Sequence, residues 1–226
     1  MLLLVDKPSG ISSYDVIRRV KHLYPGQKIG HSGTLDPLAT WLLILGVGKW
    51  TKQLTAIQWL DKSYRAEMTF ACDTDTWDID FWKKKDDYPV VEKDWVVGIE
   101  KNSDFFWAPY LNTIEAKLQS LTQSAFLPLP PFSAKKKWWK KLYELARKGK
   151  EVLIDKEMMV NEIQVLDYAF PNLGFDVSVG SGTYIRSIAY WLWKQFSLGW
   201  VISSLRRTSI WDYRVEDAIP LSELLK

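Results

Sequence analysis

Apolar residues change period several times along this chain, from alternation to helical spacing and back, without settling into a strand–helix–strand rhythm. Met1 to Val5 reads as a buried strand, closed by the turn chemistry of Asp6-Lys7-Pro8-Ser9-Gly10. Ser12 or Ser13 can cap the helix that follows, where Val16, Ile17, Val20, Leu23 and Tyr24 repeat at helical spacing until Pro25-Gly26. Gly30 to Pro37 is polar and contains glycine, which predicts a loop. Tyr64 to Phe70 alternates apolar with polar, the pattern of a half-buried strand, and an acidic loop from Asp73 to Asp80 follows. Ile114, Leu118 and Leu121 predict a helix before the break at Pro128-Leu129-Pro130-Pro131. A short helix through Leu142, Leu145 and Ala146 sits inside a basic segment, Lys135 to Lys150. Phe175, Val177 and Val179 alternate again, Gly180-Ser181-Gly182 turns the chain, and Ile185, Ile188, Ala189 and Leu192 mark another helix. Such mixing, with no internal repeat, predicts an α+β fold rather than a doubly wound sheet.

The length of 226 residues allows a substantial core, and 47% hydrophobic with 25% charged residues is the balance of a soluble globular protein. A net charge of +3 permits a polyanionic partner without demanding one. Cys72 is the only cysteine, which excludes an intrachain disulfide and fits a reducing, cytoplasmic compartment. His22 and His31 show no ligand spacing, so neither a metal nor a cofactor is expected. The apolar start, Met1 to Val5, is too short for a signal-peptide core, and no stretch reaches the roughly 20 apolar residues needed to cross a bilayer.

The segment Gly30-His31-Ser32-Gly33-Thr34-Leu35-Asp36-Pro37-Leu38-Ala39-Thr40 combines two glycines with a carboxylate before proline. Pro37 biases Asp36 toward an extended backbone, and the glycines let the loop approach another chain closely. A lone loop aspartate is more often a cap or a solvated turn residue, so these features alone do not make a nucleophile.

That string closely resembles the catalytic loop of the bacterial-type tRNA pseudouridine-55 synthases, whose aspartate attacks the target nucleotide. Lys62-Ser63-Tyr64-Arg65, Thr74-Asp75-Thr76 with Asp78, Gly182-Thr183-Tyr184-Ile185-Arg186-Ser187, Leu205-Arg206-Arg207-Thr208 and Val215-Glu216-Asp217-Ala218-Ile219 match in the same order. With Lys7-Pro8-Ser9-Gly10, the resemblance spans essentially the whole chain. It implies a pseudouridine synthase fold, a mixed and largely antiparallel sheet flanked by helices and loops, as one catalytic domain over 1–226. A basic RNA-clamping insertion would occupy about 124–156, with no C-terminal PUA-like domain.

The implied reaction breaks the N-glycosidic bond of a uridine in the tRNA T-arm, turns the base and rejoins it through C5, without cofactor or metal. Asp36 would be the nucleophile, dividing the reaction into easier steps through a covalent intermediate. Arg186 matches the arginine that pairs with the nucleophile, and a nearby cation favours an ionised carboxylate. Tyr64 matches the tyrosine stacked on the target base. The uridine must be flipped out of the folded RNA; His31 matches the residue that packs in its place, and Leu205 the apolar wall of the uracil pocket. Tyr184 and Asp78 would support the site. Lys7, Lys136, Lys140 and Lys141 are expected to contact RNA, the last three positioning phosphates rather than reading sequence. The expected protein is a monomer whose partner is tRNA.

The sequence departs from that family in one systematic way. It carries 13 Trp against 12 Gly, and Trp41, Trp77, Trp139, Trp193 and Trp211 stand where the family has glycine or another very small residue. Some bacterial lineages read UGA as glycine, and a table reading it as tryptophan would produce this pattern. A Trp-rich protein with stacking platforms for RNA, such as Trp138-Trp139 amid lysines, is the rival explanation. Two functional alternatives also remain: an RNA-guided synthase acting on ribosomal RNA, and an RNA-binding or RNA-folding protein without catalysis. Ser32 and the missing C-terminal domain favour tRNA over the first; the set of Asp36, Tyr64 and Arg186 speaks against the second.

Overall fold

The computed structural model describes residues 1–33, 39–70, 77, 98–101, 104–107, 109–133, 135–137, 139–149, 153–196 and 200–226. The fold is α+β, as expected. In chain order the elements are β1 (Leu2–Lys7), α1 (Ser13–Val20), β2 (Ile29–His31), β3 (Thr40–Val47), α2 (Leu54–Trp59), β4 (Lys62–Phe70), β5 (Gly98–Lys101), β6 (Asp104–Trp107) and α3 (Leu111–Gln119). There follow β7 (Gln123–Pro128), β8 (Lys136–Lys137), β9 (Lys140–Lys141), α4 (Leu142–Ala146), β10 (Asp155–Ala169), β11 (Asn172–Val179), α5 (Ile185–Phe196), β12 (Trp200–Ile210), β13 (Tyr213–Arg214), β14 (Ile219–Pro220) and α6 (Leu221–Leu224). They form two compact units, one of Met1–Arg65, Val177–Ser181 and Ser204–Lys226, the other of Ala66–Asp176 and Gly182–Ser203. Strands β4, β11 and β12 contribute residues to both.

In the first unit the strand order is β14-β1-β3-β12-β4-β11, with β2 also paired to β3. The β1–β3 and β2–β3 ladders are antiparallel, whereas β12 joins β3 in parallel, opposing Arg206 to Thr40 and Arg207 to Trp41. β3 is the hub because its run Trp-Leu-Leu-Ile-Leu-Gly-Val is apolar on both faces. Leu43, Leu45 and Val47 pack with Val16 and Val20 of α1, while Leu42 and Ile44 pack with Leu54 and Ile57 of α2. Helix α1 begins where Ser12 Oγ accepts from the Asp15 amide (3.1 Å) and Asp15 accepts from the Ser12 amide (3.0 Å), a reciprocal capping box.

Two local expectations change. The helix ends at Val20 and tightens into a 3-10 turn over Lys21–Leu23, short of Tyr24. Gly30 and His31 are not loop but strand, opposed to Gly46 and Leu45, because the open edge of β3 gives their backbone a ladder to join.

In the second unit the order is β12-β4-β11-β10-β7, with β10 and β7 antiparallel. Helix α3 lies against β10 and α5 against β7. Buried Ile114 and Leu118 of α3, and Ile188, Ala189 and Leu192 of α5, are the apolar stripes that the helical spacing predicted. Two short hairpins, β5–β6 and β8–β9, stand as separate ladders. Among the described residues no helix is long and apolar enough to cross a membrane.

Candidate active site

The first unit holds a buried polar cluster on β3, β4 and β12. Tyr64 points inward from β4, 7% exposed, with the ring of Trp41 edge-on at 6.0 Å and 85°. Arg207 on β12 is 1% exposed, and the nearby Tyr64 favours its charged form. Its Nε and Nη2 both donate to the Leu42 carbonyl (3.0 and 2.7 Å), and its guanidinium lies 5.5 Å from the centre of the Trp41 ring. The parallel register of β12 on β3 fixes this meeting, since Arg207 is opposed to Trp41. Burial holds the guanidinium below its ordinary pKa, and the contact with Tyr64 works in the opposite direction.

The charge of Arg207 reaches further. Burial lowers the His31 pKa, and Arg207 adds to that effect. The Gly33 amide donates to His31 Nδ1 (3.2 Å), which leaves Nε2 to carry the proton of the neutral ring. Lys62 is pushed down to about 8, first by burial and then by Arg207. Ser32 is buried, and its hydroxyl has no hydrogen-bond partner among the described residues.

Other predicted residues of this unit take distinct settings. Leu205 is buried on β12. Lys7 is buried as well, its ammonium donating to the carbonyls of Pro8 (2.8 Å) and Ile11 (2.7 Å), so it fastens the turn after β1. Arg206 makes a two-pronged ion pair with Asp6, at 3.1 and 2.8 Å.

The second unit carries Tyr184, Arg186 and the lysines. Arg186 lies in the first turn of α5, 3% exposed, and donates through Nη2 to the Phe132 carbonyl (3.3 Å). Tyr184 precedes that helix and its carbonyl accepts from the Ser187 amide (3.0 Å). Ser187 Oγ, fully buried, donates to Pro128 O (2.6 Å) and ties the helix start to the end of β7. The β8–β9 hairpin opposes Lys136 to Lys141 and Lys137 to Lys140. Lys140 is exposed, Lys141 donates to the Tyr143 hydroxyl (3.3 Å), and Trp139 at the turn is 79% exposed. Like charges placed opposite each other across a ladder repel, so this hairpin suits an external anion.

Asp36, Asp78 and the side chain of Lys136 lie outside the described residues. Arg207 is the site residue that sequence reasoning passed over. It stands in the matched segment Leu205-Arg206-Arg207-Thr208 without a role of its own, and the strand register is what sets it in the core while Arg206 pairs with Asp6.

The family model of the TruB family pseudouridylate synthase (N terminal domain) matches residues 21–185. The tRNA pseudouridine synthase B of Chloroherpeton thalassium is 34% identical over 99% of this chain and 88% of its own length. That of Aquifex aeolicus is 36% identical over 99% of this chain and 72% of its own. Among solved structures, a Cbf5-Nop10-Gar1 complex superposes with a TM-score of 0.70 at 23% identity, covering 99% of this chain and 53% of that one. A structure of an H/ACA RNP bound to a substrate RNA containing 2'-deoxyuridine gives 0.68 at 22% identity, covering 99% and 52%. At those identities the two structures speak to the fold alone.

Proposed function

Since this chain belongs to the TruB family of pseudouridylate synthases, we propose that it isomerises uridine to pseudouridine at position 55, in the T-arm of tRNA. The observation that carries this is the 34–36% identity to tRNA pseudouridine synthases over 99% of the chain, a span that includes Gly30 to Thr40. Asp36 is the nucleophile, and Arg186 keeps it ionised. Tyr64 presents its ring to the flipped base, Leu205 walls the uracil, and His31 packs into the RNA where the base has left. Tyr184 and Asp78 support them. The setting of Tyr64 supports its part: its buried ring meets Trp41 edge-on, beside the buried Arg207 cation, so it is held for one geometry.

The lysine hairpin with Trp139 at its turn supports a phosphate-gripping role for residues 124–156, with Lys136, Lys140 and Lys141 as contacts. Lys7 shapes the turn after β1 that faces the RNA. The enzyme works as a cytoplasmic monomer, and all the chemistry belongs to protein side chains. The 34–36% identity to proteins named tRNA pseudouridine synthase B favours tRNA over ribosomal RNA as substrate.

The test incubates the protein and Asp36→Ala with unmodified tRNA and maps pseudouridine at single-nucleotide resolution. Product at the T-loop uridine, lost in Asp36→Ala, is expected. RNA binding with no pseudouridine would replace the enzyme with a non-catalytic binder, and product only in ribosomal RNA would change the substrate.

A further inference from the structure

We infer that Arg207 is a positioning residue for Tyr64, fixing the phenol in the one orientation that the isomerisation uses; this rests on the reading of Tyr64 as the residue against the target base. A guanidinium shut away from water is costly unless its donors are filled, and an apolar side chain of similar volume would serve packing as well or better. Arg207 is nonetheless 1% exposed, and among the described residues no carboxylate pairs with it. Two of its donors converge on one acceptor, the Leu42 carbonyl, which clamps the plane of the group. Trp41 lies against both residues, with the guanidinium 5.5 Å from its ring centre and Tyr64 at 6.0 Å. Tyr64, on the same Trp41 ring, is the polar group that favours the charged form of the clamped cation. A cation so fixed orients a hydroxyl, whereas a core-filling side chain orients nothing.

The experiment measures kcat and KM on unmodified tRNA for Arg207→Met and Arg207→Lys, each in the natural and the Tyr64→Phe background, with Asp36→Ala alongside. Misplacing a catalytic group by an ångström costs roughly 100-fold, so Arg207→Met should lower kcat by that order with KM little changed. In Tyr64→Phe, where no hydroxyl remains to orient, the same change should cost less than about 3-fold. Arg207→Lys should recover part of the loss. Equal factors in both backgrounds would overturn the inference, as would a fall in Tm with kcat intact. If Arg207→Met does not fold, Arg207→Lys in the two backgrounds is read in the same way. Activity surviving in Asp36→Ala would instead sink the proposed reaction itself.

A second observation stands apart from the first. We propose that the working protein carries glycine at positions 77, 200 and 211, from codons that its cells read as glycine. Among the described residues three non-glycine residues have positive φ: Trp77 (62°), Gln123 (83°) and Trp211 (51°). Gly48, at the same 62°, shows which residue adopts that conformation without strain. A bulky side chain with Cβ against the following carbonyl does not. Position 200 is marked by packing. The Trp200 and Phe70 ring centres lie 3.4 Å apart at a tilt of 59°, where aromatic pairs settle at roughly 4.5–7 Å.

Peptide mass spectrometry on the protein isolated from its own cells, with the gene's codons, decides the residues: glycine at 77, 200 and 211 is expected, and tryptophan at any of them overturns the assignment there. Trp77→Gly made in the written sequence supplies an independent sign. Trp77 is 5% exposed and stacked on Tyr190 at 4.0 Å, so a genuine core tryptophan removed there would lower Tm by about 10 °C. An unchanged or higher Tm agrees with glycine, and the large fall contradicts it.

Discussion

Lys62 gives the sharpest reading of how burial and charge combine in the first unit. Its ammonium donates to the carbonyls of Gln58 (3.0 Å) and Leu60, capping the end of α2, and the residue is 8% exposed. Burial, reinforced by Arg207 and opposed by Asp61, lowers its pKa from 10.5 to about 8. Between those values the unfolded chain holds the proton more often than the native one does, so stability rises with pH across that window. Below about pH 8 both states are protonated and the native fold bears the whole cost of the buried charge. The full shift is worth about 3 kcal/mol. Partial access of water to the ammonium screens this to about 1–2 kcal/mol. Lys62→Met removes the titration and keeps most of the volume. Urea unfolding of both proteins at about pH 7 and about pH 10 isolates the effect, because every other titrating group cancels in the difference. The natural protein should gain about 1–2 kcal/mol on the variant as pH rises. A difference that stays flat, or moves the other way, would refute a buried, depressed Lys62.

Three further outcomes follow from single contacts. Ser12→Ala removes the side-chain acceptor of the Asp15 amide and half of the capping box, and should cost about 1 kcal/mol, seen as a fall of about 2–4 °C in the circular-dichroism melt. Gly46→Ala sets a Cβ 2.8 Å from the Trp50 carbonyl oxygen, a backbone atom that cannot step aside, so the urea midpoint should drop by the equivalent of about 1–3 kcal/mol. The Tyr168 hydroxyl donates to Pro109 O (3.0 Å), and burial pushes its pKa up to about 12. Tyr168→Phe should therefore lose about 1 kcal/mol at neutral pH and show a flatter decline in urea stability from about pH 10 to about pH 12, where the native state keeps a proton that the unfolded chain gives up.

The elements legible in the sequence are those with one buried face. Helix α1 and strand β4 declare themselves by spacing because the opposite positions are polar. Strand β3 does not, since its continuous apolar run is buried on both sides and periodicity has nothing to oppose. Strand β10 hides for another reason: Met158 and Val160 are buried in alternation, but the next buried residue is Ile163, and that step of three breaks the period. The candidate site divides along the same line. Alternation places Tyr64 on the inward face of its strand and the family resemblance alone gives it a role, whereas Arg207 is a charge at a core position, which no reading of polarity along the chain would place inside.

A buried arginine held by a main-chain carbonyl differs in function from one held by a carboxylate. A carboxylate would cancel its field; the Leu42 carbonyl is a dipole, and leaves net positive charge to act on the surroundings. His31 and Lys62 register that charge, each lowered in part by Arg207. Because the medium around Arg207 is protein rather than water, the field is weakly screened by salt and persists where surface lysines lose their pull. In the reaction proposed above such a cation attracts the RNA strand brought to Tyr64, and Lys140 and Lys141 of the β8–β9 hairpin cannot replace it. Salt should therefore weaken tRNA capture through the hairpin while leaving the Arg207-dependent part of kcat in place. Loss of both together, on raising ionic strength, would show that the two cationic groups act as one surface.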